Sequence, residues 1–186
     1  MISAFIALGA NLGDAAAALK QAVILIHRLP LTQVRQVSSF YLTAPLDTDA
    51  GREALAPGAD YLNAVAEVQT GLGALEMLSH LQRIENDAGR QRTYRNAPRQ
   101  LDLDLLLFGD ERMASERLTL PHPRMLQRAF VLVPLAEIAP DKVTAAQLAA
   151  VAHQLIELQG ELGDWPAGAH RCACRTSGSP SGSSRV

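Results

Sequence analysis

The stretch LDLDLLLF, residues 101–108, decides the fold, because its first five residues alternate leucine with aspartate. In an extended strand, alternate side chains point to the same side. The sequence therefore predicts a strand whose alternating leucines enter a core, while Asp102 and Asp104 stand side by side on the opposite face. Two carboxylates about 6–7 Å apart repel by about 2–3 kcal/mol at an effective dielectric constant near 20. A hard cation such as Mg²⁺ would remove that cost; a solvated edge strand or pairing with nearby arginines is the plainer interpretation.

Arginines crowd the sequence around this acidic pair. Of the 17 basic residues, only Lys20 and Lys142 are lysine. The arginines that run directly into the predicted strand are Arg90, Arg92, Arg95 and Arg99. A planar guanidinium suits phosphate oxygens, and arginines beside two carboxylates are what a magnesium-bound nucleotide requires. Two plainer explanations of the arginines stay open at this point. A genome rich in G and C favours arginine codons, and a cluster of arginines can simply form a solvated charged surface.

Outward from this strand, hydrophobic periodicity predicts the other elements. They are a strand at 2–8, a helix from Ala15 to about Arg28, a strand at 33–42, a strand from Tyr61 to Gln69, a helix from about Gly73 to Ala88, and two helices near 129–138 and 144–157. This order predicts an α+β fold, a ferredoxin-like βαββαβ antiparallel sheet with helices on one face plus a C-terminal helical extension. We expect the second face of the sheet to be open.

The size and composition of the chain exclude several classes of protein. At 186 residues it fits a single domain, which we place at 1–160, followed by a low-complexity, mobile tail at 167–186. An apolar content of 48% and a net charge of −2 argue against a disordered chain and a basic nucleic-acid binder. No apolar run is long enough to cross a membrane, and both cysteines, Cys172 and Cys174, lie in the tail. We expect a cytoplasmic monomer with small-molecule substrates and neither a nucleic-acid nor a membrane partner.

Polar residues elsewhere suit a flat heterocycle and a nucleotide. Tyr61 and Asn63 project on the aspartate face in the predicted register, where a ring and an amide can stack on and hydrogen-bond a planar molecule. Gln82 and Glu85 lie three residues apart on the second helix, and His122 stands between two prolines. The plainer interpretations are ordinary sheet surface, an exposed polar stripe and a structural histidine.

Six blocks of the sequence, in order, resemble one known family, the 6-hydroxymethyl-7,8-dihydropterin pyrophosphokinases of folate biosynthesis. The blocks are IALGANLG at 6–13, SSFY at 38–41, YLNA at 61–64, QRIE at 82–85, PRQLDLD at 98–104 and RLTLPH at 117–122. They cover roughly residues 2–140, and the PRQLDLD block is highly specific.

The resemblance implies a reaction and a set of site residues. The hydroxymethyl oxygen of the pterin would attack the β-phosphorus of ATP, so that the diphosphate moves as a unit and AMP leaves. Asp102 and Asp104 would hold two Mg²⁺ ions, and Arg90 and Arg99 would stabilise the transferred phosphate. The implied ATP-binding residues are Gln82, Glu85, Arg92, Leu105, Arg117, Thr119, His122 and Arg128, and the implied pterin-binding residues are Thr43, Ala44, Leu46, Tyr61, Asn63 and Phe130. The segments 43–60 and 90–100 would act as lids that exclude water.

Two other functions remain alternatives from the sequence alone. One is a different magnesium–nucleotide enzyme on a ferredoxin-like sheet, which would release pyrophosphate rather than AMP. The other is a ligand-binding or RNA-binding module. RNA-binding sheets usually display two or three aromatic side chains for stacking, whereas the predicted open face offers one tyrosine and two carboxylates.

Overall fold

The computed structural model describes residues 1–47, 54–55, 58–89 and 100–160. Its strands are β1 (Ile2–Ala10), β2 (Thr32–Val37), β3 (Phe40–Thr43), β4 (Leu46–Asp47), β5 (Ala54–Leu55), β6 (Tyr61–Thr70), β7 (Asp102–Phe108), β8 (Met113–Ala114), β9 (Thr119–Leu120) and β10 (Glu157–Gly160). Its helices are α1 (Ala15–His27), α2 (Ala74–Asp87), α3 (Ala129–Ile138) and α4 (Ala145–Val151), with short 3₁₀ turns at Met125–Gln127 and Pro140–Lys142.

The main sheet runs in the order β10-β3-β6-β1-β7, and β2 also pairs with β6. Every pair in it is antiparallel. With β2 and β3 counted as one interrupted strand, the central order is that of a ferredoxin-like βαββαβ unit. The predicted fold class is therefore confirmed. Two two-stranded ribbons, β4 with β5 and β8 with β9, lie outside this sheet.

Both predicted helices of the βαββαβ unit form where the sequence places them. The carboxylate of Asp14 caps α1 by accepting the Ala17 N–H at 3.0 Å, as expected for an N-cap aspartate. The helix α2 is followed by Gly89, whose φ of +89° provides the left-handed conformation that commonly stops a helix. The two helices pack on the face of the sheet formed by alternate residues such as Leu8 and Leu103.

The strand predicted at 33–42 is interrupted at Ser38 and Ser39. The Ser38 hydroxyl accepts the Val65 N–H at 2.9 Å, while the Ser38 N–H donates to the Val65 carbonyl at 2.9 Å. Ser38 therefore hydrogen-bonds both the backbone N–H and the backbone carbonyl of Val65, and the regular pairing of strands is interrupted at this residue. Ser39 turns its N–H away from the sheet to Glu137 of α3, at 3.0 Å.

The second C-terminal helix is shorter than predicted, because α4 ends at Val151 and residues 157–160 form the edge strand β10. The helix begins at a capping box, in which Thr144 and Gln147 each bind the other's backbone N–H. After it, the side chain of Gln154 accepts the Ala129 N–H at 2.7 Å and pulls the chain back over the start of α3. Leu155, which would continue an apolar helical stripe, is 84% exposed instead.

The C-terminal helices also cover part of the sheet's second face. Phe5, Val65 and Leu106, which point away from α1 and α2, pack with α3 in a second hydrophobic cluster. The expected open face is therefore covered at its middle, and it stays partly exposed where Asp102 and Asp104 lie. Among the helices of the described ranges, none is long and apolar enough to span a bilayer.

Candidate active site

The two aspartates of β7 share one face of the sheet, as predicted. Asp102 and Asp104 are half-buried, whereas Leu101, Leu103 and Leu105 are buried in the cluster beneath α1 and α2. The alternation persists over this stretch because β7 stays in regular register with β1 up to Leu105. The carboxylates thus project from the partly open face rather than into the hydrophobic interior.

Two basic side chains, His122 and Arg128, face Asp104. The Nε2 atom of His122 and the Nη1 atom of Arg128 each lie 3.9 Å from its Oδ2 atom. Arg128 is also placed over the ring of Phe130, with its guanidinium carbon 5.3 Å from the ring centre, so the ring holds the arginine in place by a cation–π contact. Since Arg128 directly precedes α3 and Phe130 lies in its first turn, the start of that helix brings both side chains to the acidic pair.

His122 is fixed against β7 by its backbone and oriented by its ring. Its N–H donates to the carbonyl of Leu106 at 2.9 Å, and its Nδ1 atom accepts the Arg124 N–H at 3.3 Å. The proton of the neutral ring is therefore assigned to Nε2, which faces Asp104. Burial lowers the pKa of His122 below its ordinary value; Asp104 opposes that shift, and the positive charges of Arg128 and Arg124 reinforce it. A neutral imidazole that donates from Nε2 is the form expected near neutral pH.

Asn63 is held in one orientation next to the aspartate strand. Its Nδ2 atom donates to the Thr43 hydroxyl at 2.9 Å, to the Tyr61 carbonyl at 3.1 Å and to the Tyr41 carbonyl at 3.4 Å. Because all these acceptors surround the nitrogen end of the amide, the Oδ1 atom at its other end is directed towards Gly9. A Cβ atom at Gly9 would lie 3.4 Å from that oxygen. Among the described residues other than its chain neighbours, Gly9 has no further atom within 4 Å of that position, so the missing side chain leaves room there.

Gly9 forms a floor between the amide and the carboxylates. It pairs with Asn63 of β6 on one side and with Asp102 of β7 on the other. Neighbouring strands lie about 4.8 Å apart, so Asn63 and Asp102 are separated by about 10 Å across the glycine. This distance leaves room for a flat, two-ring molecule with one edge at the amide and the other at the acidic pair.

Glu85 does not form part of an exposed polar stripe, so that interpretation is wrong for this residue. It is 2% exposed, and its Oε1 atom accepts the backbone N–H of Leu103 at 2.9 Å. Gln82, one turn earlier on α2, is half-buried. The side chain of Leu105 is also buried in the core, so any ligand contact made by this residue must come from its backbone.

Arg117 and Thr119 lie on the exposed β8–β9 side of the site. The Nη2 atom of Arg117 donates to the Ser79 hydroxyl of α2 at 3.2 Å, and Thr119 pairs with Ala114 in the small ribbon. Both residues are exposed. They are therefore accessible to a ligand that approaches β7 from its free edge.

Several predicted site residues cannot be placed. Arg90, Arg92 and Arg99 lie outside the described residues, as does the tail with Cys172 and Cys174. The backbone of Leu46 is described in β4, but its side chain is not. Ala44 is half-buried just beyond β3.

Two further residues of this region, Gly9 and Tyr41, were not among the predicted site residues. Gly9 lies one residue beyond the strand predicted at 2–8, and its pairing with the Tyr61–Gln69 strand places it beside Asn63. The carbonyl of Tyr41 helps to orient Asn63. Tyr41 lies in the strand predicted at 33–42, but the sequence did not indicate which of its residues face the site. The register of four strands, which a single sequence does not reveal, was needed to find both.

The donor set fits a hard divalent cation that shares its ligands with a phosphate. Within the described ranges, no three His, Cys, Asp or Glu side chains come together as a complete metal site. Mg²⁺ commonly binds one or two protein carboxylates and takes its other ligands from phosphate oxygens and water. Two carboxylates on one face of a strand, as in Asp102 and Asp104, match the protein's share of such a set.

A cavity of about 460 Å³ lies away from the acidic pair. It opens between α1 and α2 and is lined mainly by apolar side chains, among them Ala22, Leu25 and Ile84. It belongs to the helix-covered side of the sheet, and neither aspartate lines it. The candidate site is therefore defined by side-chain chemistry rather than by this cavity.

Comparison with known proteins agrees with the geometry. The family model described as 7,8-dihydro-6-hydroxymethylpterin-pyrophosphokinase (HPPK) matches residues 5–140. A 2-amino-4-hydroxy-6-hydroxymethyldihydropteridine pyrophosphokinase of Haemophilus influenzae is 47% identical over 143 residues, covering 77% of this chain and 85% of the relative. The protein of the same name from Bacillus subtilis is 46% identical over 135 residues, covering 73% and 77%.

Solved structures support the fold alone. A crystal structure of HPPK-DHPS in complex with substrates matches with a TM-score of 0.57 at 14% identity, over 81% of this chain and 43% of that one. The wild-type Plasmodium falciparum HPPK-DHPS structure with SDX-DHP matches with a TM-score of 0.55 at 14% identity, over 87% and 42%. The chain thus spans about two fifths of the length of those two proteins. From the family match and the curated relatives, the chain belongs to the 7,8-dihydro-6-hydroxymethylpterin-pyrophosphokinase family.

Proposed function

We propose that Asp102 and Asp104 are the metal-binding pair of a pyrophosphokinase, which transfers the diphosphate of ATP to the hydroxymethyl group of 6-hydroxymethyl-7,8-dihydropterin and releases AMP. The activity follows from family membership. The single observation that carries the assignment of the site is the position of both carboxylates on one partly open face of β7, with Arg128 and His122 at Asp104.

The protein's main contribution is charge placement. When bound, Mg²⁺ would neutralise phosphate oxygens and make the β-phosphorus more electrophilic; we expect two ions, as the family resemblance implies. Arg128 offers a fixed guanidinium fork for phosphate oxygens, and His122 offers a neutral N–H donor beside it. Phosphoryl-type transfer needs little covalent work from the protein, so these positions account for most of what the described residues can do.

The pterin would lie over Gly9, between Asn63 and the acidic pair. Asn63 presents a fixed carbonyl oxygen to the amino and ring N–H groups of the heterocycle. Tyr61 and Phe130 are the aromatic side chains assigned to its two faces. With the heterocycle so oriented, its hydroxymethyl group would point towards Asp102, where a nearby carboxylate can accept the proton of the attacking oxygen. Thr43, Ala44 and Leu46 are assigned to the same pocket.

The nucleotide would approach from the free edge of β7. The groups on that side are the backbone of Leu105 and the side chains of Gln82, Arg117, Thr119, His122 and Arg128. Arg90, Arg92 and Arg99 complete this set by family resemblance. With the leaving AMP at the strand edge and the pterin over Gly9, the β-phosphate would lie between them at Asp102 and Asp104, the arrangement that in-line transfer requires.

One assay tests the activity. The purified chain is supplied with ATP, Mg²⁺ and reduced 6-hydroxymethylpterin, and AMP and pterin diphosphate are both quantified. We expect the two products in equal amounts, with neither formed when the pterin or Mg²⁺ is omitted. Release of pyrophosphate or ADP in place of AMP would contradict the proposal and favour another magnesium–nucleotide reaction.

A further inference from the structure

The edge of β7 that faces away from β1 carries a buried backbone N–H, that of Leu103, which needs a hydrogen-bond acceptor from elsewhere in the protein. β7 is the last strand on its side of the described sheet, and only its other edge pairs, with β1. In an antiparallel pair, the N–H groups of alternate residues face away from the partner strand. Leu103 has such an N–H, and this residue is only 4% exposed. A buried N–H without an acceptor would be costly.

Glu85 of α2 supplies that acceptor. Its Oε1 atom lies 2.9 Å from the Leu103 nitrogen in a buried hydrogen bond. The local sequence does not favour a glutamate here, because the last turn of α2 contains no basic residue and a helix C-terminus disfavours negative charge. Burial of a carboxylate is also unfavourable unless it is hydrogen-bonded. The contact with β7 is therefore one structural role for an acid at this position.

Leu103 is the residue between the two aspartates. Its N–H belongs to the peptide unit shared with Asp102 and its carbonyl to the peptide unit shared with Asp104, so a held Leu103 N–H restrains the backbone from which both carboxylates project. A second anchor acts further along the same edge, where the His122 N–H donates to the Leu106 carbonyl at 2.9 Å. The strand segment between these anchors carries Asp104.

We propose that Glu85 is a positioning residue, whose carboxylate holds the Leu103 backbone and thereby sets the spacing of the metal-binding aspartates. This inference rests on the proposed function of Asp102 and Asp104. This positioning role differs from the direct ATP contact that the family resemblance implies for Glu85. Its effect would act through the backbone of β7 on metal binding, and only indirectly on ATP binding.

Two variants separate the reach of the side chain from its charge. Glu85→Asp keeps the charge but shortens the side chain by one carbon–carbon bond, about 1.5 Å, so the oxygen no longer reaches Leu103. Glu85→Gln loses the charge but keeps the length and an acceptor oxygen. Glu76→Asp, an exposed glutamate in the first turn of the same helix, is the matched control for shortening an acid on α2.

The measurements are the Mg²⁺ dependence of the rate at saturating ATP and pterin, the KM for ATP, and amide hydrogen exchange at Leu103 in the metal-free protein. We expect Glu85→Asp to weaken the apparent Mg²⁺ affinity by about 10–100-fold, as loss of a partner behind a metal ligand typically does. It should also accelerate Leu103 exchange. Glu85→Gln should stay closer to the wild type in both, and Glu76→Asp should match the wild type.

The opposite ranking, with Glu85→Gln more impaired than Glu85→Asp, would overturn the proposal. So would a change confined to the KM for ATP with Leu103 exchange unaltered. If Glu85→Asp does not fold, slow Leu103 exchange in the wild type together with a near-normal Glu85→Gln supports the proposal, and fast exchange refutes it. The proposed metal-binding role of Asp102 is tested separately. An Asp102→Asn enzyme with a near-normal rate would contradict that role whatever the Glu85 variants do.

Discussion

The amide nitrogen of Asn63 lies 2.9 Å from the hydroxyl oxygen of Thr43, and this hydrogen bond links β6 to β3 at the edge of the proposed pterin site. Both residues are buried. The backbone carbonyls of Tyr61 and Tyr41, which can only accept, select the orientation of the amide that leaves its carbonyl oxygen over Gly9, and the threonine hydroxyl adds a third acceptor for that orientation. The presentation of Asn63 to a heterocycle is therefore reinforced by a threonine that need not touch the ligand through its hydroxyl.

Replacement of Thr43 by valine tests this dependence. Thr43→Val keeps the shape but removes the shortest of the three hydrogen bonds, so the Asn63 amide is held only by the two backbone carbonyls and its own carbonyl is presented less rigidly. A hydrogen bond is worth about 0.5–1.5 kcal/mol, so we expect the KM for pterin to rise by up to about tenfold with the KM for ATP unchanged. Thr32→Val, which removes a hydroxyl pair with Thr70 at 2.8 Å elsewhere in the sheet, should leave both constants at wild-type values. Equal effects of the two variants would show that the change is only structural.

Gly9→Ala tests the floor of the site. The added Cβ would lie 3.4 Å from the Asn63 Oδ1 atom, an ordinary contact, so the fold should tolerate it. The methyl group would nevertheless occupy the space above the glycine. Overfilling a close-packed site typically costs about 1–3 kcal/mol, which corresponds to a pterin KM raised by about 5- to 150-fold. A thermal midpoint close to that of the wild type, measured beside the KM, shows that the loss is local; an unchanged KM would place the pterin elsewhere.

Asp102→Asn and Asp104→Asn test the metal role directly. Each change keeps the size of the side chain and removes the charge that attracts Mg²⁺, so we expect the rate at saturating substrates to fall by about 100-fold or more. Each change removes the repulsion between the two carboxylates, whereas Asp104→Asn also gives up the ion pair with Arg128, so the thermal midpoint is measured beside the rate to show that each variant is folded. Asp110→Asn, an exposed acid in the turn after the same strand, should leave the rate unaltered. A near-normal rate in either site variant would exclude that carboxylate as an essential ligand.

The parts of the structure that were predictable from the sequence are those fixed by local patterns. Alternation placed Asp102 and Asp104 on one face correctly, because a strand repeats every two residues whatever it packs against. The apolar face of α1, formed by Leu19, Ala22, Val23 and Ile26, and the glycine that ends α2 are equally local features. The break at Ser38 was missed, since a serine that replaces a ladder hydrogen bond resembles any other polar residue in a strand.

The remaining errors involve long-range pairing. Residues 157–160 join the sheet only because β3 offers them a free edge, and their own sequence does not favour a strand over the end of a helix. Glu85 was predicted on the correct helix, but its contact with Leu103 depends on the way α2 lies along β7. The coverage of the second face by α3 was likewise invisible until Phe5, Val65 and Leu106 had been brought together.

Glu137 joins α3 to the sheet and thereby helps to place Phe130 at the other end of that helix. Its carboxylate accepts the Ser39 N–H at 3.0 Å, the Ser39 hydroxyl at 2.9 Å and the Tyr41 hydroxyl at 2.9 Å. Burial raises the pKa of Tyr41 above its ordinary value, and the hydrogen bond to Glu137 and the negative charge of Glu137 add to the shift. The native protein therefore retains the phenolic proton at a pH where the unfolded chain has lost it.

The stability of the protein should consequently decline at alkaline pH in a way that depends on Tyr41. Below about pH 10 the tyrosine is protonated in both states and its full contribution is present; as the pH rises past that value, the unfolded chain ionises first and is favoured. We expect the difference in free energy of unfolding between the wild type and Tyr41→Phe to shrink between about pH 8 and pH 11, measured by urea denaturation. Glu137→Gln, which keeps an acceptor but removes the charge, should lose part of the same dependence. A difference between the wild type and Tyr41→Phe that stays constant over this range would mean that the contact between Tyr41 and Glu137 does not persist in solution.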